Sequence, residues 1–315
     1  MLEPNDRITG PARGGSAAAV AALGRQARRF LLASVALLLA ACSQLQLGYN
    51  NADTVLAYSL DSYLDLDDEQ ERLAREQIAE LHRWHRATQL PGYAQLLNDA
   101  QKKVGGTVSA ADVLEFNAGV RRALAAIGER AAPDLAKLAL TLKPAQVERL
   151  AERLANDTSK ARRELVRFAG PESLQQRVDR YVEQAENWFG TLSAAQREMI
   201  RASLARRPEA QEAWMAEREQ RQRELVALMA RIRAEQPPPA TATAWLREYF
   251  AELAEPRDAG RRMRLATYRQ DNAELVAQLV NSATPAQRAT LAKKLRGYAT
   301  DLDALAAKAA AGGRG

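Results

Sequence analysis

Apolar positions recur along this chain with the 3.6-residue period of helices that bury one face. Leu174, Val178, Tyr181, Val182, Ala185, Trp188 and Phe189 form one stripe. Leu246, Tyr249, Phe250 and Leu253 form a second, and Leu265, Tyr268, Leu275, Val276 and Leu279 a third. Arg, Glu, Gln and Lys fill the positions between, and no run alternates β-branched with polar residues as a half-buried strand would. Prolines at 91, 133, 144, 171, 208, 237–239, 256 and 285 mostly fall where a helix would begin or two would meet. The pattern predicts an all-α fold, a multi-helix array or bundle of amphipathic helices. It also predicts a long, exposed, ion-paired helix in 206–235, with the proline triplet 237–239 as the stiffest linker and a possible division of the helical domain.

Composition agrees and removes several function classes. The 315 residues are 47% hydrophobic and 27% charged but only 5% aromatic, with 17 Gly and 12 Pro. Two His and a single Cys leave no material for zinc fingers, Cys-rich clusters or a disulfide framework. A Ser-His-Asp or Cys-His arrangement would have to use His82 or His85, and no Gly-rich phosphate loop, haem motif or nucleophile elbow occurs. The expectation is therefore not an enzyme, with no cofactor and no metal. A peptidoglycan-active or other envelope enzyme is the alternative, since paired carboxylates alone can hydrolyse glycosides.

The first 41 residues read as a leader. Arg25, Arg28 and Arg29 precede an apolar run from Phe30 to Ala41, about a dozen residues where a bilayer span needs about 20. The run closes on Leu39-Ala40-Ala41-Cys42, which resembles the lipobox of bacterial lipoproteins. The resemblance implies cleavage between Ala41 and Cys42 and acyl chains on Cys42, and several chains make an anchor that one alone does not. Ser43, where an Asp would favour retention in the inner membrane, points by the same resemblance to the outer membrane, facing the periplasm. Removing 1–41 takes away five Arg and two acids, so the formal charge falls from +6 to +3. That leaves no concentrated basic footprint for nucleic acid. The cluster Arg257, Arg261, Arg262, Arg264 and Arg269 reads as a solvated helix face or as a docking patch for lipid head groups or an acidic partner. The layout is then a leader (1–41), a short tether (42–50), a helical domain (51–311) and a disordered tail (312–315).

Two motif sets follow. Leu66-Asp67-Asp68-Glu69-Gln70, Leu142-Lys143-Pro144-Ala145-Gln146, Leu192-Ser193-Ala194-Ala195-Gln196 and Ala283-Thr284-Pro285-Ala286-Gln287 each put a Gln where it can reach back to a helix N-cap. In three of them an Asp, Ser or Thr supplies the other half of a capping box, while Lys143 breaks the pattern. The intervals between the Gln residues are uneven, so this is no strict solenoid repeat. The element resembles the Leu-Thr-x-x-Gln motif of small periplasmic helical chaperones. Separately, Tyr49-Asn50, Leu60-Asp61-Ser62-Tyr63, Trp84-His85-Arg86 and Leu90-Pro91 occur in that order behind the lipobox. This set resembles an uncharacterised family of proteobacterial helical lipoproteins over roughly residues 36–95, and it implies fold and location but no catalytic residue. Tyr49, Asn50, Tyr63, Trp84, His85 and Arg86 are its candidate surface. His82 and His85 lie three apart beside an apolar stripe and read as packing histidines with polar tethers, not as metal ligands. Together these features predict a lipid-anchored, periplasm-facing interaction protein, chaperone-like or a scaffold, whose partners are the membrane and an unknown envelope protein.

Overall fold

The computed structural model of the protein describes residues 45–166, 171–207 and 210–312; the leader, the lipobox and Cys42 lie outside them. Among the described residues the 3.6-residue pattern is realised as helices throughout, with no strand. The chain is already helical at 45–50, within the expected tether. Eleven helices follow: α1 (Ala52–Leu64), α2 (Asp68–Thr88), α3 (Leu90–Lys103), α4 (Ala110–Thr141), α5 (Pro144–Val166), α6 (Pro171–Phe189), α7 (Ala194–Ala205), α8 (Ala210–Glu235), α9 (Pro239–Ala254), α10 (Ala259–Ser282) and α11 (Pro285–Gly312). Pro144, Pro171, Pro239 and Pro285 open helices, where a missing N–H leaves no intrahelical bond unmade. Pro133 departs from that expectation and sits inside α4.

The buried apolar side chains gather into two clusters. One joins Leu64 of α1 and Ala74 of α2 to Ala132, Ala136 and Leu138 of α4, Val147 and Leu150 of α5, Met229 and Ile232 of α8, and Leu246 of α9. The other joins Val104 at the end of α3 to Val178, Val182 and Phe189 of α6, Ile200 of α7, Leu275 and Leu279 of α10, and Leu291 and Leu295 of α11. These define two lobes within the compact unit that begins at Gly48. The lobes meet where α11 lies along α2 and where α10 packs on α4. The proline triplet joins α8 to α9, both of which pack on α4, and the chain turns there through a left-handed Gln236 (φ 41°). Helix α8 is less exposed than its charge suggests, since Met215, Met229 and Ile232 are buried along it.

Each lobe is closed by a pair of buried glutamines taken from the four recurring motifs. Gln70 Oε1 accepts the N–H of its own cap, Asp67 (3.1 Å), while its Nε2 donates to the Thr141 carbonyl (2.9 Å) at the end of α4 and to Gln146 Oε1 (3.1 Å). Gln146 does the same in reverse: Oε1 accepts from Lys143 N (2.8 Å), and Nε2 donates to the Asp65 carbonyl (2.9 Å) and to Gln70 Oε1 (2.6 Å). Lys143 offers no cap oxygen, yet its Nζ reaches Asp67 Oδ2 (2.8 Å) and so ties the two motifs together. In the other lobe Gln196 and Gln287 repeat the arrangement, exchanging bonds of 3.0 Å and donating to the carbonyls of Ser282 (3.3 Å) and Thr191 (2.8 Å). Each amide thus satisfies a helix start, a helix end and its partner.

Gln146→Ala should lower the free energy of urea unfolding by about 1–3 kcal/mol, because Lys143 N–H, the Asp65 carbonyl and Gln70 each lose a buried partner. Gln70→Ala combined with Gln146→Ala should cost less than the two single losses summed, since the second truncation removes a group already orphaned. Strictly additive losses would show that the two amides act independently.

Candidate functional site

Four of the six motif residues behind the lipobox converge on α2. The Tyr49 hydroxyl lies 2.7 Å from His85 Nδ1, and its ring sits 4.7 Å from that of His82 between centroids. Arg86 places its guanidinium over the same ring at 5.2 Å and donates to Asn50 Oδ1 (2.5 Å). Tyr93 of α3 packs against His85 at 5.4 Å, and Trp84 lies 6.4 Å from His85. Tyr63 is placed elsewhere, donating to Asp157 Oδ2 (2.6 Å) under Arg153. The cluster is a latch that pins the entering chain to α2. Burial pushes the Tyr49 phenol up to about 12, with Arg86 opposing, so it stays a donor. Burial also lowers His85, with His82 adding to the shift, and burial followed by the Arg86 charge lowers His82. Neutral imidazoles therefore leave Nδ1 of His85 free to accept. Among the described residues no three His, Cys, Asp or Glu converge as a metal site would require.

Because both histidines titrate below their unfolded value, the unfolded chain takes up protons first as pH falls through about 6.5. Stability from the latch is thus full above that pH and is lost progressively below it. Tyr49→Phe, which removes the phenol donor, should lower the melting temperature at pH 7.5 and lower it less at pH 5. A constant gap between the two melting curves across that range would refute the latch chemistry.

The larger feature is a cleft of about 1290 Å³ at the seam of the lobes, lined by α4, α8, the end of α9, α10 and Arg207 just beyond α7. It exceeds the roughly 300–1,000 Å³ typical of small-ligand pockets. Its lips are apolar side chains that neither lobe covers: Leu124 is 62% exposed, Trp214 52%, Met263 67% and Tyr268 51%, with Val120 beside them. Tyr268 belongs to the stripe read from the sequence as buried, and the structure corrects this, because α10 turns that part of its face into the cleft. Phe250 and Leu253 of α9 form part of the floor. There α4 comes so close that a Cβ on Gly128 would meet Phe250 Cγ at 2.8 Å. Elsewhere Val55, Leu56 and Tyr58 of α1 are exposed as well, outside the cleft.

Seven arginines line this cleft (121, 207, 218, 221, 261, 264 and 269) against two carboxylates, Glu217 and Asp271. Arg261 is buried and spends its charge on Glu217 (2.7 and 2.8 Å) and Glu224 (3.0 Å). Its hydrogen bonds hold the Glu217 carboxyl below its ordinary range. Arg207 pairs with Asp271 (3.4 Å), Arg221 with Glu217 (2.7 Å) and Arg269 with Glu255 (3.6 Å). Arg121, Arg218 and Arg264 form no ion pair among the described residues. Arg218 lies over the Trp214 ring at 5.8 Å with its Nε buried and unbonded. Desolvation and the nearby Arg269 charge push the Arg121 guanidinium down from its ordinary value. The arginine cluster noticed in the sequence thus divides: 261, 264 and 269 face the cleft, while Arg257 pairs with Glu248 and Glu252, and Arg262 caps the carbonyls of Pro256 and Arg257. Sequence reasoning missed Val120, Leu124, Trp214 and Met263, whose only common signal is apolar character at positions that the stripes leave over.

Residues 62–243 match a family described as a family of unknown function (DUF6279). The match begins inside the motif-bearing stretch and runs far past residue 95; it holds the cleft's α4 and α8 walls but not α10. No curated protein and no solved structure matches the chain.

Proposed function

The chain belongs to this DUF6279 family of unknown function, and we propose that it is a lipid-anchored, periplasm-facing helical protein that holds envelope clients in the cleft between its lobes. The observation that carries this reading is the ring of large apolar side chains left in solvent around one cleft. Exposed apolar surface gathered in one place marks an interaction site, because scattered single residues have no such joint effect. The cleft is larger than the roughly 300–1,000 Å³ typical of small-ligand sites. The lips stand on both lobes and are exposed, so that a client need not displace protein-protein contacts to enter.

The anchor supports the same reading. Tyr49 is clamped to α2 only seven residues after Cys42. At the reach of an extended chain that is at most about 25 Å, less where the segment is helical. A body tethered this closely meets clients at the membrane surface, as they emerge or before they insert. No helix among the described residues is long and apolar enough to cross a membrane. In this proposal the attachment is the acyl chains on Cys42. The four Gln motifs, similar to those of small periplasmic chaperones, serve here to lock the lobes that frame the cleft.

Purified protein should slow aggregation of an unfolded outer-membrane protein at substoichiometric ratios, and Leu124→Ser combined with Met263→Ser should abolish most of that effect while leaving the helical circular-dichroism signal unchanged. Equal protection by the variant, or protection by neither protein, would overturn the cleft as the client site. In cells, Cys42→Ala should release the protein from the membrane fraction and end palmitate labelling. Unchanged fractionation and labelling would overturn the anchor.

A further inference from the structure

We propose that the cleft selects an acidic, amphipathic polypeptide segment, one that carries Asp or Glu between its apolar residues. This rests on the reading of the cleft as a client site and names what that site prefers. The argument is charge complementarity at a place where apolar contact is already offered. Arg121, Arg218 and Arg264 stand on three different helices, α4, α8 and α10, yet face one cleft. None of them forms an ion pair among the described residues, whereas each of the other four arginines of the cleft does, and Glu255, which acts on Arg121 from a distance, is itself paired with Arg269. Two are partly buried, so their charges are poorly hydrated and gain more from an incoming carboxylate than a fully solvated surface arginine would.

The lips decide between a peptide and a lipid. Leu124, Trp214, Met263 and Tyr268 lie open to solvent on the rim and do not enclose a tunnel, whereas an acyl chain is held best where it is surrounded. Asn117 and Thr267 line the same walls and offer hydrogen bonds to a peptide backbone. Arg218, whose guanidinium lies over the Trp214 ring at 5.8 Å, brings a cation to an aromatic lip of the cleft.

The test uses the full chain in nanodiscs of phosphatidylcholine, which carry no net charge. Two fluorescein-labelled peptides share the same Leu and Phe positions and differ in having Glu or Lys at the positions between. Anisotropy should show the Glu peptide binding at least about tenfold tighter, the scale of one charge-assisted hydrogen bond. The advantage should shrink as salt rises. Arg121→Gln with Arg264→Gln should remove most of the preference at an unchanged melting temperature, while Leu124→Ser with Met263→Ser should weaken both peptides alike. Equal binding of the two peptides would overturn the acidic preference and leave the client site standing. Binding of neither would overturn the client site itself. Displacement of the Glu peptide by phosphatidylglycerol vesicles, with no competition from unlabelled peptide, would make this a lipid site and overturn the proposal.

Discussion

The paired glutamine amides are the constraint on which the two lobes depend. A primary amide carries two donors and an acceptor with two lone pairs. Gln70 and Gln146 use that full inventory, each closing its own helix start, the end of an opposing helix and the other amide. Helix ends are where backbone groups go unpaired, so burying two starts and two ends at one point would be costly without such partners. A carboxylate could not donate, and a hydrocarbon could do neither. The choice of residue is therefore set by the need to donate and accept at once. Asp65 contributes from the backbone side: its left-handed conformation (φ 55°) sits at the end of α1, where its carbonyl accepts from Gln146.

With each lobe locked around its own cluster, the seam between them is where packing can remain incomplete. Helix α4 is long enough to belong to one lobe through Ala132, Ala136 and Leu138 and to touch the other through its contact with α10. Its N-terminal half carries Val120 and Leu124 beyond the cluster that covers the rest of it. At Gly128 the backbone of α4 comes right against Phe250, which fixes α9 as the floor, while α8 and α10 rise as walls. Buried pairing between Arg261 and its two glutamates ties these walls to each other. The opening is thus a product of two closed cores set against one another, not of a missing element.

The fold was legible where one residue decides a local outcome, and obscure where distant residues do. Periodicity gave helices, prolines gave four of their starts, and Asp67, Ser193 and Thr284 gave caps. The pairing of the glutamines was hidden because a capping box already accounts for each one, and the partners stand 76 and 91 residues apart. Pro133 inside α4 shows the limit of reading proline as punctuation in a helix held by tertiary packing. Tyr49, Asn50, His85 and Arg86 could be grouped from their order along the chain, yet Tyr63 shares that order and bonds to Asp157 instead. Tyr268 kept the helical period of Leu275 and Leu279 but lies a little under two turns before Leu275, past the edge of the core. A stripe tells which face is apolar; it does not tell how far along the helix a neighbour covers it.

In the cleft, cationic side chains and exposed apolar side chains coincide. Many of the protein's ion pairs are neighbours on one exposed helix, such as Arg72 with Glu76 or Arg231 with Glu235. Pairs of that kind contribute a few tenths of a kcal/mol and leave no field at a distance. Arg121, Arg218 and Arg264 have no such neighbour, and they come together only through the packing of three helices. An apolar surface alone would bind any unfolded chain and would also invite self-association, while a cationic surface alone would bind any anion. In the proposed client site the two together would make affinity depend on the spacing of acids and apolar groups in the same segment. Discrimination of that kind would come from geometry that the folded lobes hold fixed, so whatever loosens the glutamine pairs would blunt selectivity before it abolished binding.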